Sequence, residues 1–201
     1  MDRAALKQQA KDRLRGNWGW AIGLSLLGGI MTEIVSYFTL GILGMMLTAG
    51  ISFTYLAFMD TGDRGSGVFN NIFSGFTNGR ALAVFLTNLL GGIFTMLWTL
   101  LLVIPGVIKS FSYSQANYII KDMAASGREI GATDAITASR MLMRGHKFEY
   151  FVLQLSFLGW AILATLTFGI GYLWLVPYMQ ATNAAYYRTI AGDHFLSVDE
   201  D

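Results

Sequence analysis

The chain has 201 residues, of which 54 % are hydrophobic and only 13 % charged, with a formal net charge of +1, two histidines and no cysteine. Soluble domains carry about 25 % charged residues, so the composition is that of a polytopic membrane protein. The near-neutral charge excludes a nucleic-acid binder working through a basic face, and the lack of cysteine excludes disulfides, thiol catalysis and thiolate metal sites. His146 and His194 cannot build a multi-histidine centre on their own, so neither a metal nor a cofactor is expected.

The N-terminal stretch MDRAALKQQAKDRLRGNWGW is basic and leads into an apolar segment without a small-x-small cleavage site, which reads as a retained cytoplasmic helix ahead of a first span. A span needs roughly 20 mainly apolar residues. Residues 34–59 and 150–187 contain no charge, and each is expected to fold back on itself at a glycine turn, Thr39-Leu40-Gly41-Ile42 and Thr167-Phe168-Gly169-Ile170. Residues 81–104 form another apolar span, and Pro105-Gly106 is expected to make the third reversal, since proline starts a helix well and continues one badly. The predicted spans are 18–38, 42–59, 81–104, 107–122, 150–167 and 171–188. The fold class is therefore all-α: a polytopic transmembrane bundle of six spans in three hairpins. One integral membrane domain covers residues 1–190, and an acidic, mobile cytoplasmic tail covers 191–201.

Charge placement orients the map. Of the fourteen Lys and Arg residues, all but Lys109 fall on one side of the predicted spans, which the positive-inside rule assigns to the cytoplasm. Both termini are then cytoplasmic, in a cell membrane. Trp18, Trp20, Tyr150, Tyr186 and Tyr187 are expected as anchors at the inner boundary, and Tyr37, Trp98 and Trp174 at the outer one.

Segments 2–15, 68–76 and 129–144, each ahead of a basic-glycine pair, read as cytoplasmic interfacial amphipathic helices. The third opens on a capping box, Ser126 to Glu129, and stops at Gly145. Its Arg140 and Arg144, with Lys147, are expected to touch lipid headgroups. Interfacial helix followed by hairpin recurs three times on this map. TLGILGMMLTAGISFTYLAFMD (39–60) and TFGIGYLWLVPYMQATNAAYYR (167–188) share Thr, Gly, Ile, a second Thr and Ala at equal positions, which any pair of bilayer hairpins can also produce.

Two ionisable residues, Glu33 and Lys109, fall inside the spans at similar depth, where an ion pair is one reading and snorkelling of Lys109 to the headgroups the other. Ser110, Ser112, Ser114, Gln115 and Asn117 make span four unfit to face lipid all round, and Asn88, Gln154, Gln180 and Asn183 extend the polar set. Hydrogen-bonded glue between helices explains these residues, as does a path lined by Glu33, Lys109, Asn117 and Gln154. No helical metal-binding histidine pair, nucleophile elbow or phosphate loop is present, and Asp60 and Asp63 read as the solvated end of span two.

The stretches LWTLLLVIPGVIKSFSYSQANYIIKD, ITASRMLMRGHKFEYFVLQLSFLGWAIL and GIGYLWLVPYMQATNAAYYR resemble an uncharacterised bacterial membrane-protein family, number 975 among domains of unknown function, from AKDRLRGNW to about Arg188. A more distant resemblance, through the Pro-Gly element and the later basic-glycine segment, is to the membrane domain attached to some glycerophosphodiester phosphodiesterases. The resemblance implies an integral membrane protein and supplies no catalytic residues. The expected function is non-enzymatic: a lipid-interacting or partner-binding component of the bacterial cell membrane, with membrane lipids and other membrane proteins as partners and no nucleic acid. A small transporter or channel subunit is the alternative.

Overall fold

The apolar runs fold as helices, and no strand occurs among the described residues of the computed structural model, which are 2–39, 41–77, 79–101, 103–127, 130–131 and 133–196. Helices α1 (Arg3–Leu14), α2 (Trp18–Thr39) and α3 (Ile42–Thr61) come first, followed by α4 (Val68–Ile72), which runs into a 3-10 turn at Phe73–Phe76. Then come α5 (Ala81–Leu101), α6 (Val103–Tyr113), α7 (Ala116–Ala125), α8 (Asp134–Leu142), α9 (Lys147–Leu155), α10 (Leu158–Leu166) and α11 (Tyr172–Ala191). Four stretches are long and apolar enough to cross a membrane: Trp18–Tyr37, Leu43–Thr61, Ala81–Thr99 and Lys147–Leu166.

Helix α3 is the axis of the bundle. Its apolar window is 72 % buried, against 17 % for those of α2 and α5. Ala49, Phe53, Tyr55, Leu56 and Phe58 of α3 join Leu175, Ala181, Ala184, Tyr186 and Tyr187 of α11 in one core. The peripheral helices turn large apolar side chains outward, among them Leu26, Ile30 and Ile34 of α2, Ile93, Met96 and Leu97 of α5, and Trp160, Ile162 and Leu163 of α10. An exposed apolar surface of this extent exceeds what soluble monomers keep, because water penalises it.

Glycine closes two of the expected turns. Gly41 (φ 85°) and Gly169 (φ 85°) take the left-handed conformation, and the Gly169 N–H donates to the Ala164 carbonyl (3.1 Å). Leu40 lies outside the described residues. The third turn differs from expectation: Val103 already starts α6, so Pro105-Gly106 occupies its first turn, where proline's missing N–H costs nothing, rather than the link between α5 and α6. Gly106 serves close packing instead, since a Cβ there would stand 2.8 Å from the Thr99 Cα of α5.

All three short helices seat their apolar faces on protein. Leu6, Ala10 and Leu14 of α1, four residues apart, are buried, and α1 packs along α11. Ala135, Ile136 and Ser139 of α8 are likewise buried. Segment 68–76, expected on the surface, lies against the middle of α3. A Cβ on Gly50 would stand 3.0 Å from the Asn71 carbonyl, one on Gly75 would collide with the Met46 carbonyl, and Ser74 Oγ donates to the Gly50 carbonyl (3.3 Å). The segment carries no charge, and glycines on both partners let two backbones meet, so it tucks into the bundle, where irregular backbone is tolerated. Tyr150, Tyr186 and Tyr187, expected as interfacial anchors, are core residues. Arg128 and Glu129 of the capping box, and residues 197–201 of the acidic tail, lie outside the described residues.

Two predicted spans are broken helices. Between α6 and α7 the ladder lapses at Ser114 and Gln115 with no proline present; Ser139 of α8 repairs it, donating to the Ser112 carbonyl (2.8 Å) and accepting from the Gln115 N–H (3.3 Å). A side chain inserted into the ladder is a recognised cause of such a kink. Between α9 and α10 the break falls at Ser156 and Phe157, and Lys7 of α1 covers it: its Nζ donates to the Ser156 carbonyl (3.1 Å) and lies 4.1 Å from the Phe157 ring centroid.

Candidate functional site

The predicted polar residues divide rather than converge. Lys109 Nζ lies 4.5 Å from the Trp98 ring centroid and within electrostatic range of Lys147, while Glu33 is exposed on α2. No ion pair joins Glu33 and Lys109 among the described residues, because α2 packs on α3, α4 and α11 whereas α6 packs on α5, α8 and α9. The sequence map put Lys109 across the bilayer from Arg140, Arg144 and Lys147. In the fold these four form one basic group, with Arg140 and Arg144 exposed on the outer face of α8 and the turn after it. Asn117 Oδ1 accepts from Asn88 Nδ2 (2.8 Å), and Gln154 Nε2 donates to Asn183 Oδ1 (2.8 Å). No hydrogen bond among the described residues links the two pairs, so they join helices two at a time, α5 to α7 and α9 to α11.

A cluster that the sequence reading missed ties the bundle at one end. Arg188 of α11 grips Asp60, at the end of α3, in a two-pronged contact (2.9 and 2.7 Å) and reaches Asp122 of α7 through two further bonds (2.9 and 3.2 Å). Tyr187 Oη donates to Asp122 (2.7 Å), whose side chain is only 2 % exposed. A planar guanidinium suits this geometry, since it satisfies two carboxylates at once. The signal in the sequence was that three apolar stretches end on Asp60, Asp122 and Arg188.

A second missed feature is a lateral cleft of about 580 Å³ between the α1–α2 junction and the α10–α11 pair, lined by Lys11, Arg15, Trp18, Trp160, Leu163, Ala164, Thr167, Gly171, Trp174, Leu175 and Tyr178. Close packing of α10 on α11 makes its floor, for a Cβ on Gly171 would stand 2.7 Å from the Ala164 Cα. Thr167 Oγ1 ties off the turn, donating to the Ala164 carbonyl (2.7 Å) and accepting from the Gly171 N–H (3.0 Å). Its walls are indole and aliphatic, with Trp160, Leu163 and Trp174 exposed. Its two cations are Lys11 of α1 and Arg15, which caps that helix. Lys11 Nζ sits 5.6 Å from the Tyr178 ring, and Arg15 is largely exposed, with Asp12 at 3.8 Å. Burial against the α9–α10 break holds the Lys7 ammonium below its ordinary pKa, and the neighbouring charges of Lys11 and Arg3 add to this. A ligand anion would relieve that crowding. Chemically, the cleft offers an apolar trough with two positive charges in its lining, which suits an amphiphile with an acidic head.

The fold and these features define an all-α protein with four stretches, among the described residues, that are long and apolar enough to cross a membrane. A family model described as "Protein of unknown function (DUF975)" matches residues 99–194, a narrower stretch than the resemblance read from the sequence. No curated protein and no solved structure matches the chain.

Proposed function

We propose that the protein is a non-enzymatic component of the bacterial cell membrane that holds an anionic phospholipid in the lateral cleft. The observation that carries this reading is the combination of Lys11 and Arg15 with the Trp18–Trp160–Trp174 trough. A volume of about 580 Å³ lies within the range of small-ligand sites, roughly 300–1,000 Å³. Each basic residue at an anionic headgroup contributes on the order of 1 kcal/mol. The division of Asn88–Asn117 and Gln154–Asn183 into separate pairs supports a scaffold over a continuous transport path.

In this reading the chain crosses six times as three hairpins, with α6–α7 and α11 as the two crossings too polar to stand in lipid alone, and with both termini in the cytoplasm. Single cysteines at 65, 127 and 195 should label from the cytoplasmic side, and those at 40 and 169 from outside; a reproducible inversion at any one contradicts the six-crossing arrangement. Quenching tests the cleft itself. Of the five tryptophans, Trp18, Trp160 and Trp174 line it and Trp20 and Trp98 do not. Bromine-labelled phosphatidylglycerol, titrated into nanodiscs of unlabelled phosphatidylcholine, should quench the first set saturably and ahead of labelled phosphatidylcholine. Equal quenching by both lipids would refute anionic selectivity.

A further inference from the structure

The polar stripe of α6–α7 has no role in the lipid cleft, and it borders a separate cavity. Beside the helix break at Ser114–Gln115, residues of α5, α6 and α7 line a cleft of about 840 Å³. Its polar lining is Thr87, Asn88, Thr95, Thr99, Ser110, Tyr113, Ser114 and Asn117, and no Lys, Arg, Asp or Glu belongs to it among the described residues. Glycines 91 and 92 leave its floor open: a Cβ on Gly91 would meet nothing within 4 Å. The mouth is rimmed by exposed Met96 and Met45, beside exposed Val107 and Ile108, so it opens onto the same apolar surface that faces lipid.

Hydrogen-bonding capacity inside this cleft is left over. Thr87 is 2 % exposed, and its Oγ1 is buried with no partner. The Asn88–Asn117 bond uses Asn88 Nδ2 and Asn117 Oδ1, and Asn88 Oδ1 and Asn117 Nδ2 make no hydrogen bond among the described residues. Ala116 and Asn117, which open α7, also line the cleft, and no side chain caps that helix start. A hydroxyl left unpaired away from water is unfavourable, so the lining favours a ligand that brings hydrogen-bonding groups of its own.

We propose that this cleft is a second ligand site, taking an uncharged amphiphile with a hydroxyl-bearing head, of the diacylglycerol class. The lining supplies both donors and acceptors, which matches alcohols and esters. It supplies no cation, which disfavours a phosphate head, and its mouth admits acyl chains from the side. The two clefts thus divide lipids by charge: the α1–α2/α10–α11 cleft takes the anionic one and the α5/α6–α7 cleft the neutral one.

Titration of the full-length protein in detergent with dioleoylglycerol, read by native mass spectrometry, tests the assignment. The wild type should retain one molecule saturably. Gly91→Phe, whose side chain enters open space, should weaken retention by about tenfold or more while leaving phosphatidylglycerol binding unchanged. Thr87→Val keeps the shape and removes the orphan hydroxyl, so it should weaken dioleoylglycerol severalfold and leave the fold intact, which covers the case of a misfolded Gly91→Phe. Absence of saturable dioleoylglycerol binding in the wild type, or undiminished binding in both variants, overturns the proposal. So does a fall in oligomeric mass in Gly91→Phe, which would identify the occupant as a helix from a second copy. Loss of phosphatidylglycerol binding through Lys11 and Arg15 variants, with dioleoylglycerol binding retained, would leave this proposal standing on its own.

Discussion

Replacing Arg188 with methionine should be the most damaging single change at the charged end of the bundle. The guanidinium makes four bonds of 2.7–3.2 Å to Asp60 and Asp122, and the Asp122 side chain is 2 % exposed. Methionine fills much of the volume but strands two carboxylates, one of them buried. Breaking a buried ion pair from one side costs about 3–5 kcal/mol. The Asp60 side chain, 26 % exposed, keeps some water and contributes the smaller part. At roughly 2–4 °C per kcal/mol for a chain of this size, the melting temperature in nanodiscs should fall by about 6–20 °C. Thermal melts followed by circular dichroism measure it. Combining Arg188→Met with Asp60→Asn and Asp122→Asn removes the charges together and should restore most of the loss. Arg188→Lys should fall between, because an ammonium cannot grip both carboxylates in a planar fork. A loss under about 1 kcal/mol for Arg188→Met, or strictly additive losses in the triple variant, would show that the three charges do not act as a unit.

Ser139→Ala removes the side chain that repairs the α6–α7 break and leaves the Ser112 carbonyl and Gln115 N–H unpaired; about 1–3 kcal/mol should be lost in the same melts. Gly75→Ala brings a Cβ against the Met46 carbonyl and should cost more than Gly79→Ala, whose Cβ meets only open space and whose penalty is that of its left-handed backbone (φ 72°). Phe168 is fully exposed with φ 53°, so Phe168→Gly should raise stability by roughly 1 kcal/mol. The Lys7 ammonium is disfavoured in the fold, so the unfolded chain binds more protons there. Stability should therefore rise with pH in the window below 10.5, and Lys7→Met should flatten that limb of the profile.

The membrane-type composition, the long apolar helices and the turns at Gly41 and Gly169 were legible because each depends on local chemistry: uncharged runs and one glycine in the left-handed region. What escaped depended on residues far apart. Asp60 and Arg188 lie 128 positions apart, and they close the two aligned stretches 39–60 and 167–188, so a comparison made for likeness ended on a pair of opposite charges that meet in space. The break at Ser114 was hidden because its cause, Ser139, sits on another helix, and no proline marks it. Segment 68–76 looked interfacial from its place ahead of a basic-glycine pair, whereas Gly50 and Gly75 fix its place inside the bundle only once α3 is known to run beside it. Lys109 was read by depth along one straight span; the broken helix carries it to Trp98 and the basic group instead. The cleft between the α1–α2 junction and the α10–α11 pair needed α1 folded back along α11, which brings Lys11 and Arg15 to tryptophans about 145 to 160 positions later in the chain.

Native mass spectrometry of the detergent-released protein with a limiting, equimolar mixture of phosphatidylglycerol and phosphatidylcholine tests the central claim most directly. The wild type should retain one phosphatidylglycerol in preference, and Lys11→Gln with Arg15→Gln together should remove about 2 kcal/mol of that preference, some thirtyfold, while the melting temperature holds. Equal retention of the two lipids by the wild type, or an unchanged preference in the double variant, would contradict the assignment of the cleft to an anionic lipid.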